Sequence, residues 1–431
     1  MRTQLNLSSV MPSCSANHAE RERRYSRRKP RSVAWRILAG MLLLVGSIGS
    51  LLAGCGASSS PVMSRASAPP TPTDLATLYA GFAAGYLIAF HASDGTVRWR
   101  NKGYTASPVI ADGILYTGSG ADLVALRPNS DGITEVWRVP LDSGLANTPV
   151  LRDGILYVNT SGLTTDRSAH NGSVYAVDTR SGHILWRFQT HGSMFGSPVV
   201  TDDAIYTSAD TANVMSTLFA LHQADGSVLW RVQRSEYISG LAVLGGTLYV
   251  GTTGQSIAAL QSSDGKQIWS YQAPGFVNSL AVSDAGVVYV GARDNALDAL
   301  RASDGMRLWT YQTGGSVFAP VTVRDGLVYV TSEKGYVAAL DAATGNVRWR
   351  TCVDNDTCTT PGATVRFSTP LIASQTIYVG VAFVGTGLSH GGLASVAGGI
   401  YALDANTGRV SWQYQSGIVG GALGTPALAD S

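Results

Sequence analysis

The stretch "SDGTVRW", Ser93 to Trp99, sets a Gly four residues before a Trp, and the chain repeats that word. Its copies are "ADGSVLW" ending at Trp230, "SDGKQIW" at Trp269, "SDGMRLW" at Trp309, "ATGNVRW" at Trp349 and "NTGRVSW" at Trp412. Trp186 follows Gly182 at the same spacing, and Trp137 follows Gly132 with one residue more. The eight Trp recur about every forty residues, a period that belongs to repeat architectures. Asp-Gly supplies the positive φ angles of a tight hairpin, so each word reads as a turn entering a strand.

Working upstream from each turn, a short apolar run carries Ala in a fixed place: Ala89, Ala125, Ala176, Ala220, Ala259, Ala299, Ala339 and Ala402. A small side chain repeated at one place suggests close approach of neighbouring sheets, with the Trp as the knob that fills the gap. Further upstream a third element ends in Tyr, at Tyr79, Tyr116, Tyr157, Tyr206, Tyr249, Tyr289, Tyr329 and Tyr378. A fourth, often led by Pro, precedes the Tyr: Pro108, Pro149, Pro198, Pro320, Pro370 and Pro426. One repeat is therefore four strands, A (the Pro word), B (Tyr), C (Ala) and D (Trp). Alternation within them has period two, as half-buried antiparallel strands require.

Four-stranded units of this length point to a β-propeller. There are eight B, eight C and eight D strands, but only seven A strands precede a B strand. The remaining A strand is "TPALA", Thr425 to Ala429, and the first B strand, "TLYAG" at Thr77 to Gly81, has no A before it. Pairing the two leaves neither edge bare. The sequence thus predicts an all-β fold, a closed eight-bladed β-propeller of four-stranded antiparallel blades over residues 75–431.

The repeated Gly-to-Trp word resembles the tryptophan-docking repeat of the pyrroloquinoline-quinone (PQQ) type propellers, and the resemblance runs from about Leu75 onward. That family includes quinoprotein alcohol and glucose dehydrogenases and the non-catalytic lipoprotein BamB of the outer-membrane β-barrel assembly machine. The same repeat serves enzymes and scaffolds, so the resemblance is specific for fold and not for function. A quinoprotein enzyme implies a metal-held cofactor, a base and commonly an adjacent Cys-Cys pair. Cys352 and Cys358 are not adjacent, and no Cys-x-x-Cys-His haem site occurs. The histidines beyond Cys55 (His91, His170, His183, His191, His222 and His390) show no metal spacing. No catalytic, metal or cofactor-binding residue is assigned, and no cofactor is expected; PQQ with Ca²⁺ remains the alternative.

The first 36 residues hold nine Arg or Lys against two Glu, a balance of +7, which leaves −5 for the rest of a chain that is +2 overall. The basic charge precedes an apolar run, Ile37 to Gly54, so it belongs to a targeting segment and argues for no nucleic-acid partner. "LAGC", Leu52 to Cys55, resembles a bacterial lipobox. The expectation is a lipoprotein signal peptide over residues 1–54, Cys55 as the lipidated residue, and a Ser/Ala/Pro-rich tether over 55–74. The uncleaved alternative is a transmembrane anchor. Either way the propeller is extracytoplasmic, membrane-anchored at the bacterial cell envelope, and read as a monomeric ring with protein partners. Outside the reducing cytosol, Cys352 and Cys358 are expected to form a disulfide.

Successive strands reverse direction, so A–B and C–D turns share one face, and B–C and D–A connections share the other. The long insertions fall on the second face, at 160–172, 209–216, 351–367 and 382–399, which marks it as the working surface. Phe195, Tyr237, Phe276, Phe318 and Phe367 stand just before A strands. They form the candidate binding face for a partner peptide or a glycan, or else pack between blades. Asp354, Asn355 and Asp356 offer oxygen ligands without the spacing of an EF-hand loop.

Overall fold

The computed structural model describes residues 76–82, 84–104, 107–162, 171–211, 215–353, 358–359, 364–384, 397–419, 421 and 424–429. The expected signal peptide over 1–54, Cys55, the expected tether over 55–74 and the Asp354–Asp356 cluster lie outside them. The described strands form eight separate antiparallel sheets. Seven are built from consecutive A, B, C and D strands. The first joins Thr77–Phe82, Tyr86–His91 and Val97–Lys102 to Ala427–Ala429, with Thr77 opposite Ala429 and Tyr79 opposite Ala427. The strand that follows the last blade is thus the A strand of the first and closes the ring, as the strand count predicts.

A strands of neighbouring blades touch each other, as Ile238–Leu244 does Val277–Ser283, which places them at the hub. D strands form the outer wall, where exposed and partly buried residues alternate along Gln267–Gln272. The core is eight apolar clusters, each shared by two adjacent blades. Phe82, Phe90 and Ile88 of the first blade, for example, pack with Tyr378, Ile400 and Trp412 of the eighth. No single blade buries its own faces, so stability depends on completing the ring.

The fixed Ala has a second role beside the one its recurrence suggests. In every blade the Tyr, Ala and Trp are in register across the B, C and D strands, as Tyr249 opposite Ala259 opposite Trp269. All eight Ala are fully buried, and the Tyr and Trp rings meet over them with centroids 5.8 to 6.2 Å apart. Any larger residue would separate the two rings. Each Ala also lies in one of the clusters shared by two blades, so the small side chain serves the close approach of neighbouring sheets as well as the ring pair within its own.

The Gly of the repeated word also carries a second constraint. Gly95, Gly182, Gly226, Gly265, Gly305, Gly345 and Gly408 have φ between +71° and +74°, and a Cβ on any of them would come within about 3 Å of the preceding blade's Trp ring. Each indole therefore docks onto the turn of the next blade. Seven of them donate N–H to a turn carbonyl there, from Trp137 to Thr179 round to Trp412 to Ala92, at 2.9 to 3.1 Å.

The eighth blade is irregular. Its A position is split into Thr364–Phe367 and Leu371–Ala373, both paired with the nine-residue B strand Thr376–Val384. The insertion at 209–216 is mostly strand: Ala204–Thr211 and Met215–His222 stay paired through Ala209 and Thr217 to Asp210 and Ser216. No described helix is long and apolar enough to cross a membrane.

Candidate functional site

On the face of the B–C and D–A connections, the connection itself pairs with the upper end of the following B strand. Thr253 donates its backbone N–H to Tyr237, and Arg293 donates its own to Phe276, each at 2.9 Å. This backbone pairing holds the aromatic residues at the rim. Phe195 is 59% exposed, Phe276 43% and Tyr237 38%; Phe318 is half-buried. Phe367 differs: it ends a strand that alternates inward and outward, and it packs in the core with Trp349, Val353 and Val365. Four of the five aromatics thus reach the surface of this face, and the fifth fills an inter-blade gap.

Phe195 and Phe318 also line a cavity of about 580 Å³ at the hub, to which seven of the eight blades contribute, from Asn147 round to Thr425. Its polar lining is incompletely satisfied: Ser239 Oγ and Asn278 Nδ2 are buried without a hydrogen-bond partner. Asp210 is the one charged residue of the lining among the described residues. Burial raises its carboxyl pKa above the ordinary value, and the Ser216 hydroxyl, which donates to it, works in the opposite direction. PQQ is a tricarboxylate and needs cations or a metal beside it. A lining with one carboxylate and no Arg or Lys does not match that demand, and no catalytic step is derived through the group. Among the described residues no three His, Cys, Asp or Glu are grouped as metal ligands.

Basic charge lies instead beside the rim aromatics. The Arg293 guanidinium sits 5.5 Å from the centroids of both Phe276 and Phe318. Arg366 lies 3.3 Å from the Phe318 centroid and pairs with Glu333 at 3.2 Å. Burial pulls the pKa of Arg366 down, Glu333 opposes the shift, and Arg293 adds to it. A neighbouring cation, Arg350, is stacked on Tyr336 at 3.6 Å and donates to the Thr313 carbonyl. Arg293 and Arg366 carry no motif spacing, since they come from different blades. The sequence offers no signal for them beyond a basic residue near a predicted rim aromatic.

Cys352 and Cys358 form a disulfide at the exit of the Val347–Cys352 D strand, on the same face. It ties Cys358 to the end of that strand.

An eight-bladed ring whose Trp side chains dock each blade on the next defines a PQQ-type propeller. The chain belongs to the family described as outer membrane protein assembly factor BamB, which matches residues 83–210, 165–275, 214–319 and 313–427. BamB from Moraxella catarrhalis is similar in fold, at 16% identity and a TM-score of 0.50, covering 70% of this chain and 87% of that one. A europium-containing methanol dehydrogenase is similar at 15% identity and a TM-score of 0.56, covering 72% and 81%. Tetrathionate hydrolase of Acidithiobacillus ferrooxidans is 23% identical over 147 residues, which is 30% of this chain and only 28% of that relative.

Proposed function

We propose that this protein is a lipid-anchored, extracytoplasmic scaffold that binds protein partners through the face of its B–C and D–A connections, and that it is not an enzyme. The observation that carries the reading is the combination, on one face, of exposed Phe195, Tyr237 and Phe276 with arginines stacked beside Phe276 and Phe318. Aromatic residues and Arg are the side chains enriched at protein interfaces. Membership of the BamB family over residues 83–427 supports the reading, and with it a place at the cell envelope. Lipidation at Cys55, after removal of residues 1–54, would hold the ring at a membrane, with 55–74 as the tether. The mature net charge of −5 weighs against a nucleic-acid partner.

The test is site-specific photocrosslinking in intact membranes with the probe placed at Tyr237 or Phe276, against a probe on the opposite face at Asp112. Protein adducts from the first two positions and none from the third are expected. Turnover of alcohols or sugars by purified protein supplied with PQQ and Ca²⁺ would overturn the scaffold reading in favour of a quinoprotein oxidoreductase. Loss of polysaccharide binding on changing Phe276 and Phe318 to Ala would favour a glycan-binding propeller.

A further inference from the structure

Two like-charged guanidiniums held against one ring need an explanation. Arg293 and Arg366 lie 5.5 and 3.3 Å from the Phe318 centroid, so they are no more than about 9 Å apart, comparable with one Debye length at physiological salt. Their repulsion is incompletely offset. Glu333 is the carboxylate paired with Arg366, and Arg293 has no ion-pair partner among the described residues. A cation–π contact leaves a guanidinium's in-plane N–H donors available, and a pair of them can receive a carboxylate through two parallel hydrogen bonds. Exposed Phe276 supplies apolar contact alongside.

Backbone hydrogen bonds hold the elements that carry this arrangement. Arg293 is positioned by its backbone bond to Phe276, and Glu333 by bonds to Ser316 and Val365. Arg366 stands in the strand Thr364–Phe367. Three blades, the sixth, seventh and eighth, therefore converge on one cationic, aromatic patch.

We propose that Arg293 and Arg366, both held over Phe318, form a clamp for an Asp or Glu side chain of a protein segment laid across the sixth to eighth blades. This deepens the scaffold reading and rests on it. A protein carboxylate is favoured over a polyanion because the mature chain is itself negative, at −5, and repels an extended anionic surface while still admitting a single acid.

The experiment measures fluorescence anisotropy of a labelled peptide of alternating Glu and Leu, with its Gln and Leu counterpart as control. Inorganic phosphate and phosphatidylglycerol vesicles serve as competitors. Binding of the acidic peptide alone is expected, weakening with salt and by about tenfold or more in Arg293→Gln. Arg293→Lys, which keeps the charge and loses the paired donors, should recover only part of it. Arg293 is exposed, so its variants should melt like the parent, which keeps the test readable if Arg366→Gln fails to fold. Equal binding of both peptides, unchanged binding in Arg293→Gln, or competition by vesicles and not by peptide would each overturn the clamp. The photocrosslinks at Phe276 separate the two readings: adducts that persist in Arg293→Gln sink the clamp alone, whereas their absence from the parent sinks the scaffold.

Discussion

Trp412 donates its indole N–H to the backbone carbonyl of Ala92 at 2.9 Å, across the seam where the eighth blade meets the first. The Tyr378 hydroxyl reaches the same oxygen at 3.2 Å, and a carbonyl has lone pairs for both. The same shared acceptor recurs inside the chain, with Trp230 and Tyr206 on Ser262, and Trp269 and Tyr249 on Ala302. The seam is therefore an ordinary blade contact, although its partners are 320 residues apart.

Gly95 should be the sharpest probe of that contact. A Cβ there would lie on the Trp412 ring and would also sit at φ +73°. Gly113 has nearly the same φ, +72°, with nothing within 4 Å. Gly113→Ala should cost only the backbone strain, about 1–2 kcal/mol, and Gly95→Ala a further 1–3 kcal/mol of overpacking, about. Urea unfolding of the two variants against the parent measures the difference; equal losses would mean that the indole is not packed on the turn.

Most of the ring was legible because its contacts repeat. Tyr, Ala and Trp mark three strands of every blade, and the unmatched Ala427–Ala429 strand fixes closure. What the repeat could not disclose was the second contact of the Ala: its recurrence suggests close approach between sheets, and only the register of Tyr249, Ala259 and Trp269 reveals the ring pair it also admits within one. The candidate site was harder to read. Phe367 looks like the other rim aromatics until its strand turns it inward beside Val365. Arg293, Glu333 and Arg366 are brought together by the curvature of the ring, which no local spacing encodes.

The buried tyrosines give the protein an alkaline limit. Burial raises the pKa of all eight B-strand Tyr above 10 as the largest cause. A raised folded pKa contributes stability that is complete below the unfolded value and lost as pH rises through the folded one. Melting temperature should hold to about pH 10 and then fall steeply. Tyr249→Phe, which loses the bond to Ala302, should cost about 1 kcal/mol at pH 8 and make the alkaline fall shallower. An unchanged slope would show that Tyr249 ionises freely in the folded ring.

Asp210 should behave in the opposite sense to a salt-bridged carboxylate. Its pKa is raised by burial at the hub, so its ionised form opposes folding, and the penalty is absent below the unfolded value near 3.8. Asp210→Asn keeps an acceptor for Ser216 and removes the charge. The variant should melt above the parent at pH 7, with the gap closing toward pH 4, about the unfolded value. A variant that melts lower at pH 7 would mean that the carboxylate is stabilised by a cation outside the described residues.

Removing residues 424–431 tests closure itself. The truncation takes away the partners of Thr77, Leu78 and Tyr79 and the apolar contacts of Leu428 with the seam cluster and Ala429 with the next one. It leaves a B strand as a bare inner edge, open to pairing with another copy. Removing residues 430–431 alone leaves the paired strand intact and is the control. The longer truncation should lose about 2–5 kcal/mol, from three ladder positions, the buried Ala427 and the half-buried Leu428, and should sediment partly as dimers or larger species. The control should match the parent in both respects. If both truncations match it, the ladder between Thr77–Phe82 and Ala427–Ala429 contributes nothing to holding the ring shut, and the bonds of Trp412 and Tyr378 to Ala92, with the apolar cluster around them, would have to do so.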